Sequence, residues 1–377
     1  LKVLYSDRIV LNDNVTQGYI HIEDGVIKSI SADSKSTNII DFKGKYILPG
    51  LINIQSEQLI RENRIKANNM FPFQKTFKEV EMRFASAGIT TLFHSIPIVN
   101  GRSQDDFTTG PNIAKKISEL SKGKNLIDHK VHIEFQLGFI ESMDKVKELL
   151  EGGFLDYISY LGYCRTEEER YREVYYQEYI QRSMGLSEEI CRRMVKRVRE
   201  LRSESNLEEL AYMLKYSHYK GVKVGSSELD TMRKLDYLQQ DGVNILEYPF
   251  TMDAIDFAKG TKKQILLDTL SLSKGKGGIV KLDPWQAVLD GKIDMLSSDM
   301  RPYDLLAYVF LLGKEMGLEN SVKLVSKNPA TALELIDRGE IKEGMRADLI
   351  AVDVVDEVPV TVMTMSKGNV SYSSNYR

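Results

Sequence analysis

The sequence predicts an α/β fold: a (β/α)8 TIM barrel beside a small β-sandwich-like domain built from both chain ends. Three observations carry this. Residues 1–48 alternate apolar and polar positions in short runs such as "GYIHIEDGVIKSI" and "NIIDFKGKYILPG", with "EDG" and "FKGK" as turns, and so read as antiparallel β-structure. The C-terminal runs "RADLIAVDVV", "PVTVMTM" and "KGNVSYS" read the same way. Neither end alone has enough strands to bury a face, so the two should share one sheet. Between them, strand-like and helix-like segments alternate, which is the pattern of a parallel sheet with crossover helices.

Eight strand candidates lie along the middle of the chain: "LINIQ" (51–55), "TTLFHSI" (90–96), "VHIEFQL" (131–137), "YISYLG" (157–162), "VKVGSS" (222–227), "NILEYP" (244–249), "ILLDTLSL" (265–272) and "IDMLSS" (293–298). Helical patterns such as "TFKEVEMRFASAG" and "NLEELAYMLKYSHYKG" separate most of them. A doubly wound open sheet is the alternative, and the count of eight favours the barrel. The expected division is a composite β domain from 1–48 and 343–377 and a barrel from 49–342. A charged helical insertion at about 163–205 follows the fourth strand, with Ser187, Glu188 and Glu189 as a helix start. Ile190, Met194, Val198 and Leu201 mark its expected apolar face. It reads as a solvated hairpin on the barrel rim, or as a lid or subunit contact.

A net charge of −3 gives no whole-chain electrostatic case for nucleic acid or an anionic membrane. No apolar run approaches the ~18 residues of a membrane span. The opening "LKVLYSDRIVLNDN" has polar residues where a signal peptide needs an apolar core, so a cytoplasmic location is expected. The two cysteines, Cys164 and Cys191, fit a reducing compartment and cannot by themselves make a four-ligand zinc cluster. Only five histidines exist: His21, His94, His129, His132 and His218. His132 opens the third strand candidate and His218 ends a helix before the fifth, so both read as scaffold. His21 and His129 belong to no constellation. His94, placed near the end of the second strand beside Ser95, could be scaffold, a general base or a group that orients a ligand.

The flanks of the barrel carry recognisable wording: "YILPGLIN" at its opening, "AGITTLFHS" (87–95), "SSDMRPYDLL" (297–306) and "NPATALELIDRGEIKEGMRADLIAVD" (328–353). On these runs the chain resembles the amidohydrolase superfamily of metal-dependent hydrolases. "NILEYPFTMDAIDFA" (244–258) and "DMLSSDM" resemble segments of its phosphonate-metabolism branch, that of α-D-ribose 1-methylphosphonate 5-triphosphate diphosphatase. The resemblance implies a divalent-metal site at the C-terminal ends of the strands, held by His and carboxylate ligands. It also implies where this chain departs from the pattern. Gln55 and Glu57 stand in place of His-x-Asp after strand one, Gln136 in place of Glu after strand three, and "GYCRT" in place of a His motif after strand four. Ser227 and Glu228 stand against the His and first Asp after strand five, and Asp299 alone matches, after strand eight.

Gln and Ser bind zinc far more weakly than imidazole or carboxylate. The resemblance therefore implies a degenerate site, with no stoichiometric zinc and at most a weakly held divalent ion on Glu57 and Asp299. The catalytic candidates are Asp299, His94 and Glu228. Gln55, Glu57, Gln136 and Ser227 are the candidates for substrate binding, with Lys274 and Lys276 of the "SKGKGG" loop, which could hold phosphate or be a surface turn. The expected partner is a small phosphorylated ligand, with a homo-oligomer left open and neither nucleic acid nor membrane expected. Three functions follow: a phosphonate-type hydrolase acting on phosphorylated sugars, a catalytically silent binding or partner subunit, and an enzyme with metal-free acid–base chemistry on Glu57, Glu228, Asp299 and His94.

Overall fold

The structure, a computed structural model, describes residues 2–63, 72–98, 104–136, 143–161, 187–201, 206–227, 242–249, 251–273 and 282–375. The N-terminal run forms β1 (Lys2–Val10), β2 (Val15–Glu23), β3 (Val26–Ser31), β4 (Ile39–Asp41) and β5 (Tyr46–Pro49). The barrel strands follow: β6 (Leu51–Asn53), β7 (Ile89–Ile98), β8 (Asp128–Gln136), β9 (Tyr157–Leu161), β10 (Lys223–Ser227), β11 (Ile245–Glu247), β12 (Gln264–Asp268) and β13 (Met295–Ser297). The chain ends with β14 (Leu349–Val355), β15 (Val358–Ser366) and β16 (Asn369–Ser373).

The two chain ends share one sheet in the order β16-β15-β14-β5-β1-β2-β3, with β4 also on β1. The join is antiparallel, with Ile47 opposite Ala351 and Leu48 opposite Ile350. Leu4, Ile20 and Ile47 from one end and Leu349, Met363 and Met365 from the other fill its core. Asp24 and Gly25 in the β2–β3 turn both have positive φ, as do Lys367 and Gly368 between β15 and β16, which is the backbone a tight twisted hairpin needs. The "FKGK" turn departs from the expectation of antiparallel strands. β4 and β5 both run parallel to β1, with Leu4 opposite Ile40 and Ile9 opposite Ile47. The turn is thus a loop out of one edge segment and does not reverse the chain.

All eight barrel candidates become strands of one parallel sheet, ordered β6 through β13, and the fold is the TIM barrel. The seventh candidate is shorter than expected. Its strand stops at Asp268, and Thr269–Ser273 turns into a helix because Asp268 Oδ1 accepts the Leu270 N–H at 2.7 Å. Two compact units divide the chain. One holds Leu1–Ser95, Lys116–His132 and Gln264–Arg377, the other Ile96–Lys115 and Ile133–Lys263.

In the first unit, α1 (Gln58–Asn63) follows β6 and α2 (Phe73–Ser86) precedes β7. Phe73, Phe77, Val80 and Phe84 recur at helical spacing and are all buried, giving α2 its inner face. Gly50 lets the chain pass from the end sheet into the barrel, because a Cβ there would lie 2.3 Å from Thr90 Oγ1. The "DRG…RADL" run is an ion network. Asp128, at the start of β8, pairs with Arg338, Arg346 and Lys367, while Arg338 also reaches Thr91 Oγ1 at 3.0 Å. Burial opposes the charge on Asp128, and the cations, Arg338 first, override it and hold the carboxyl far below its ordinary range.

In the second unit, the helix at Glu188–Leu201 forms as expected from its Ser-Glu-Glu start. Of its expected apolar face Ile190 is exposed, and the neighbouring Cys191 is buried instead. The side chains of Met194, Val198 and Leu201, the stretch 163–186 and Cys164 lie outside the described residues. Among the described residues no helix is long and apolar enough to cross a membrane.

The first and eighth strands are joined by a side chain. Asn53 Nδ2 donates to the Ser298 carbonyl at 2.8 Å, and its Oδ1 accepts the Ser298 N–H at 3.0 Å. Both residues are buried, so the carboxamide supplies the two bonds a neighbouring strand would give. Asn53→Leu removes both and strands a buried peptide N–H and C=O. The expected loss is about 2 kcal/mol or more in urea unfolding with an unchanged denaturant slope, and an unaltered midpoint would refute the closing role.

Candidate active site

The mouth in the first unit is built where β6 and β13 end. Gln55 and Glu57 lie in the loop between β6 and α1, both half-buried. Asp299 follows β13. Its Oδ1 accepts the Glu57 N–H at 2.7 Å, and its backbone carbonyl accepts the Ser56 hydroxyl at 2.9 Å. Asp268, at the end of β12, accepts the Asp299 N–H on Oδ2 at 3.3 Å. Arg61, one helical turn beyond Glu57, lies 2.7 Å from Glu57 Oε2 and 3.3 Å from Asp299 Oδ2. Glu57 and Asp299, far apart in sequence, are thus brought together. The sequence reading missed Asp268 and Arg61: the sequence pattern carries the seventh strand on to residue 272, which hides Asp268 inside it, while the Glu57–Arg61 spacing of four could have found Arg61.

His94 is placed otherwise than expected. It lies inside β7 with four strand residues after it, and its ring is 1% exposed. Nε2 is 2.9 Å from His129 Nδ1, His129 Nε2 is 3.1 Å from Glu81 Oε1 on α2, and both rings pack beside Phe77. Strand alternation sends this chain of rings to the α2 side of β7. The next residue, Ser95, meets the buried His132 at 2.9 Å. His129, read as belonging to no constellation, is the middle of this one. Burial drives all three pKa values down: His94 well below its ordinary value, His129 less so because Glu81 opposes, and His132 to about 3.

The second unit holds a different polar cluster on β9, β10 and β11. Glu247 is fully buried and accepts three hydroxyls: Ser159 at 2.6 Å, Ser227 at 2.5 Å and Tyr157. Burial raises the Glu247 pKa and the three donors oppose the rise, while the Tyr157 hydroxyl is pushed well up by burial and by Glu247. Gly225 makes the cluster possible, since a Cβ there would lie 2.0 Å from the Tyr157 oxygen. Ser227 is thus a donor to a carboxylate. Gln136 ends β8; its side chain, and Glu228, Lys274 and Lys276, lie outside the described residues. His218 meets the Gly242 carbonyl, as scaffold does.

No family model matches the sequence. It is 24% identical over 360 residues to α-D-ribose 1-methylphosphonate 5-triphosphate diphosphatase of Escherichia coli (strain K12), covering 92% of this chain and 94% of that protein. Among solved structures it is similar to the β-aspartyl dipeptidase of Fervidobacterium islandicum AW-1, with a TM-score of 0.64, 14% identity and coverage of 100% and 98%. A D-hydantoinase gives 0.58, 14%, 98% and 95%. These solved structures share the fold of this chain. An amidohydrolase metal centre needs three or four His, Cys or carboxylate donors converging on one point. Among the described residues no group of three such side chains is so arranged. Glu57 and Asp299 face a guanidinium, and the Ser227 hydroxyl donates a hydrogen bond to Glu247.

The buried imidazoles set a pH dependence. The unfolded chain takes up protons on His94, His129 and His132 as pH falls through about 6.5, while the folded chain keeps the rings neutral. Their contribution is therefore complete above pH 6.5 and is lost as pH falls toward the folded values. Urea unfolding between pH 7.5 and 4.5 should show stability dropping by up to about 1.4 kcal/mol per pH unit for each ring that stays neutral. His132→Gln should make that slope shallower, and a flat profile in the parent would contradict the assignment.

Proposed function

We propose that this protein is a phosphonate-type amidohydrolase relative with a degenerate metal site, which binds a small phosphorylated ligand without zinc-dependent hydrolysis. The likeness along 92% of the chain to a diphosphatase named for a ribose methylphosphonate triphosphate supports the ligand class. The observation that carries the loss of metal chemistry is Ser227. It stands where the family motif has a histidine, and it is a neutral hydroxyl held as a donor by a buried carboxylate. An un-ionised hydroxyl is a poor zinc ligand, and a Gln at position 55 offers only a neutral amide. Metal-free acid–base chemistry is less well supported, because the His94 ring is held by His129 on the α2 side of its strand.

Elemental analysis of the purified protein should find well under one zinc per chain. Ribose 5-phosphate or a ribose 5-triphosphate should raise the melting temperature, with no pyrophosphate released from the triphosphate. Restoring Gln55→His, Gln136→Glu and Ser227→His together should raise the metal content. Near-stoichiometric zinc in the parent, lost together with hydrolysis in Asp299→Ala, overturns the proposal.

A further inference from the structure

On the reading above, that zinc is not the resident cation, we propose that the Arg61 guanidinium is: it occupies the charge position between the first-strand and eighth-strand carboxylates and excludes a divalent ion from them. Arg61 Nε and Nη2 lie 2.8 and 2.7 Å from one oxygen of Glu57, and Nη2 lies 3.3 Å from Asp299 Oδ2. The other Asp299 oxygen accepts the Glu57 backbone N–H at 2.7 Å, which ties the two loops together. Two carboxylates that meet on one guanidinium repel each other, and the shared cation offsets that repulsion. Asp268, bonded to the Asp299 N–H, adds a third negative group to the same strand ends.

A planar guanidinium suits this task, because its fixed fork reaches two oxygen atoms of different side chains at once. It comes from α1, immediately after the first barrel strand, where the spacing of four from Glu57 sets it over that carboxylate. The side chains are 38%, 23% and 19% exposed for Arg61, Glu57 and Asp299, so water screens the site only in part. A divalent ion entering between the two carboxylates would sit within a few ångströms of the positive charge, and one of the two cations must leave.

Manganese(II) titration, followed by the loss of the free-ion electron paramagnetic resonance signal, separates the outcomes. The parent should bind weakly. Arg61→Gln and Arg61→Met should each bind at least about tenfold tighter, since the repelling charge is gone. Arg61→Lys, which keeps the charge, should stay near the parent, and the gain should vanish in Arg61→Gln combined with Asp299→Asn. Arg61 is partly exposed, so neutral replacements there should leave the melting temperature within a few degrees of the parent. If one of them unfolds, the other is read. Parent-like affinity in the neutral variants, or a gain that survives Asp299→Asn, overturns the proposal. Stoichiometric zinc in the parent would instead refute the degenerate-site reading, and the two failures are distinct.

Discussion

A barrel must meet itself, and here the meeting depends on the Asn53 carboxamide. The first barrel strand is only three residues long and the eighth equally short, so little backbone is left for a ladder between them. The two bonds between Asn53 and Ser298 take its place. Everything at this part of the mouth follows in register. Ser56 reaches the Asp299 carbonyl and the Glu57 N–H reaches the Asp299 carboxylate, so the loops after strands one and eight are laced together residue by residue. The Arg61 position is then a consequence of α1 starting where that lacing stops.

The buried polar groups fall into two kinds, separated by chemistry. The imidazole layer beside α2 is held neutral by burial and linked ring to ring, ending on Glu81. The Glu247 cluster keeps a carboxyl group inside the protein by surrounding it with hydroxyl donors. In the Glu247 cluster both carboxyl oxygens are taken by hydroxyl donors, whereas His94 Nδ1 in the imidazole chain is buried without a partner, so it is the Glu247 cluster that fixes a single arrangement of the strands that carry it. Both kinds lie in strands that also carry apolar runs, which is why the strands could be read from the sequence while these contacts, made to partners far along the chain, could not.

The fold was largely legible in the sequence. The paired chain ends followed from turn signals such as Asp24-Gly25, and the eight strands followed from apolar runs with helical patterns between them. Residues whose role is set by local spacing were readable, such as the start of the helix at Glu188. What could not be read depended on direction or on long-range partners. "FKGK" looks like a hairpin whether or not the chain reverses. His94 looks like a strand-end group because the length of β7 is not written locally. Ile190 and Cys191 differ by one position, and apolar patterning alone did not say which turns inward. Of the candidate site, Glu57 and Asp299 meet as a pair, whereas Ser227 bonds to Glu247, a partner twenty residues away that no local spacing indicates.

Gly225 has a consequence for how this interior can change. The position is empty of side chain because the Tyr157 oxygen and a Glu247 oxygen fill the place where a Cβ would be, at 2.0 and 2.7 Å. An alanine at 225 therefore becomes tolerable only after Tyr157 or Glu247 has shortened. Loss of Glu247 leaves the Tyr157, Ser159 and Ser227 hydroxyls seeking new acceptors at once. The effects of substitutions at these five positions cannot add, because each changes the space or the bonding that the others require. Sequence drift here has an order: a history in which the large or charged member goes first is open, and the reverse path is closed.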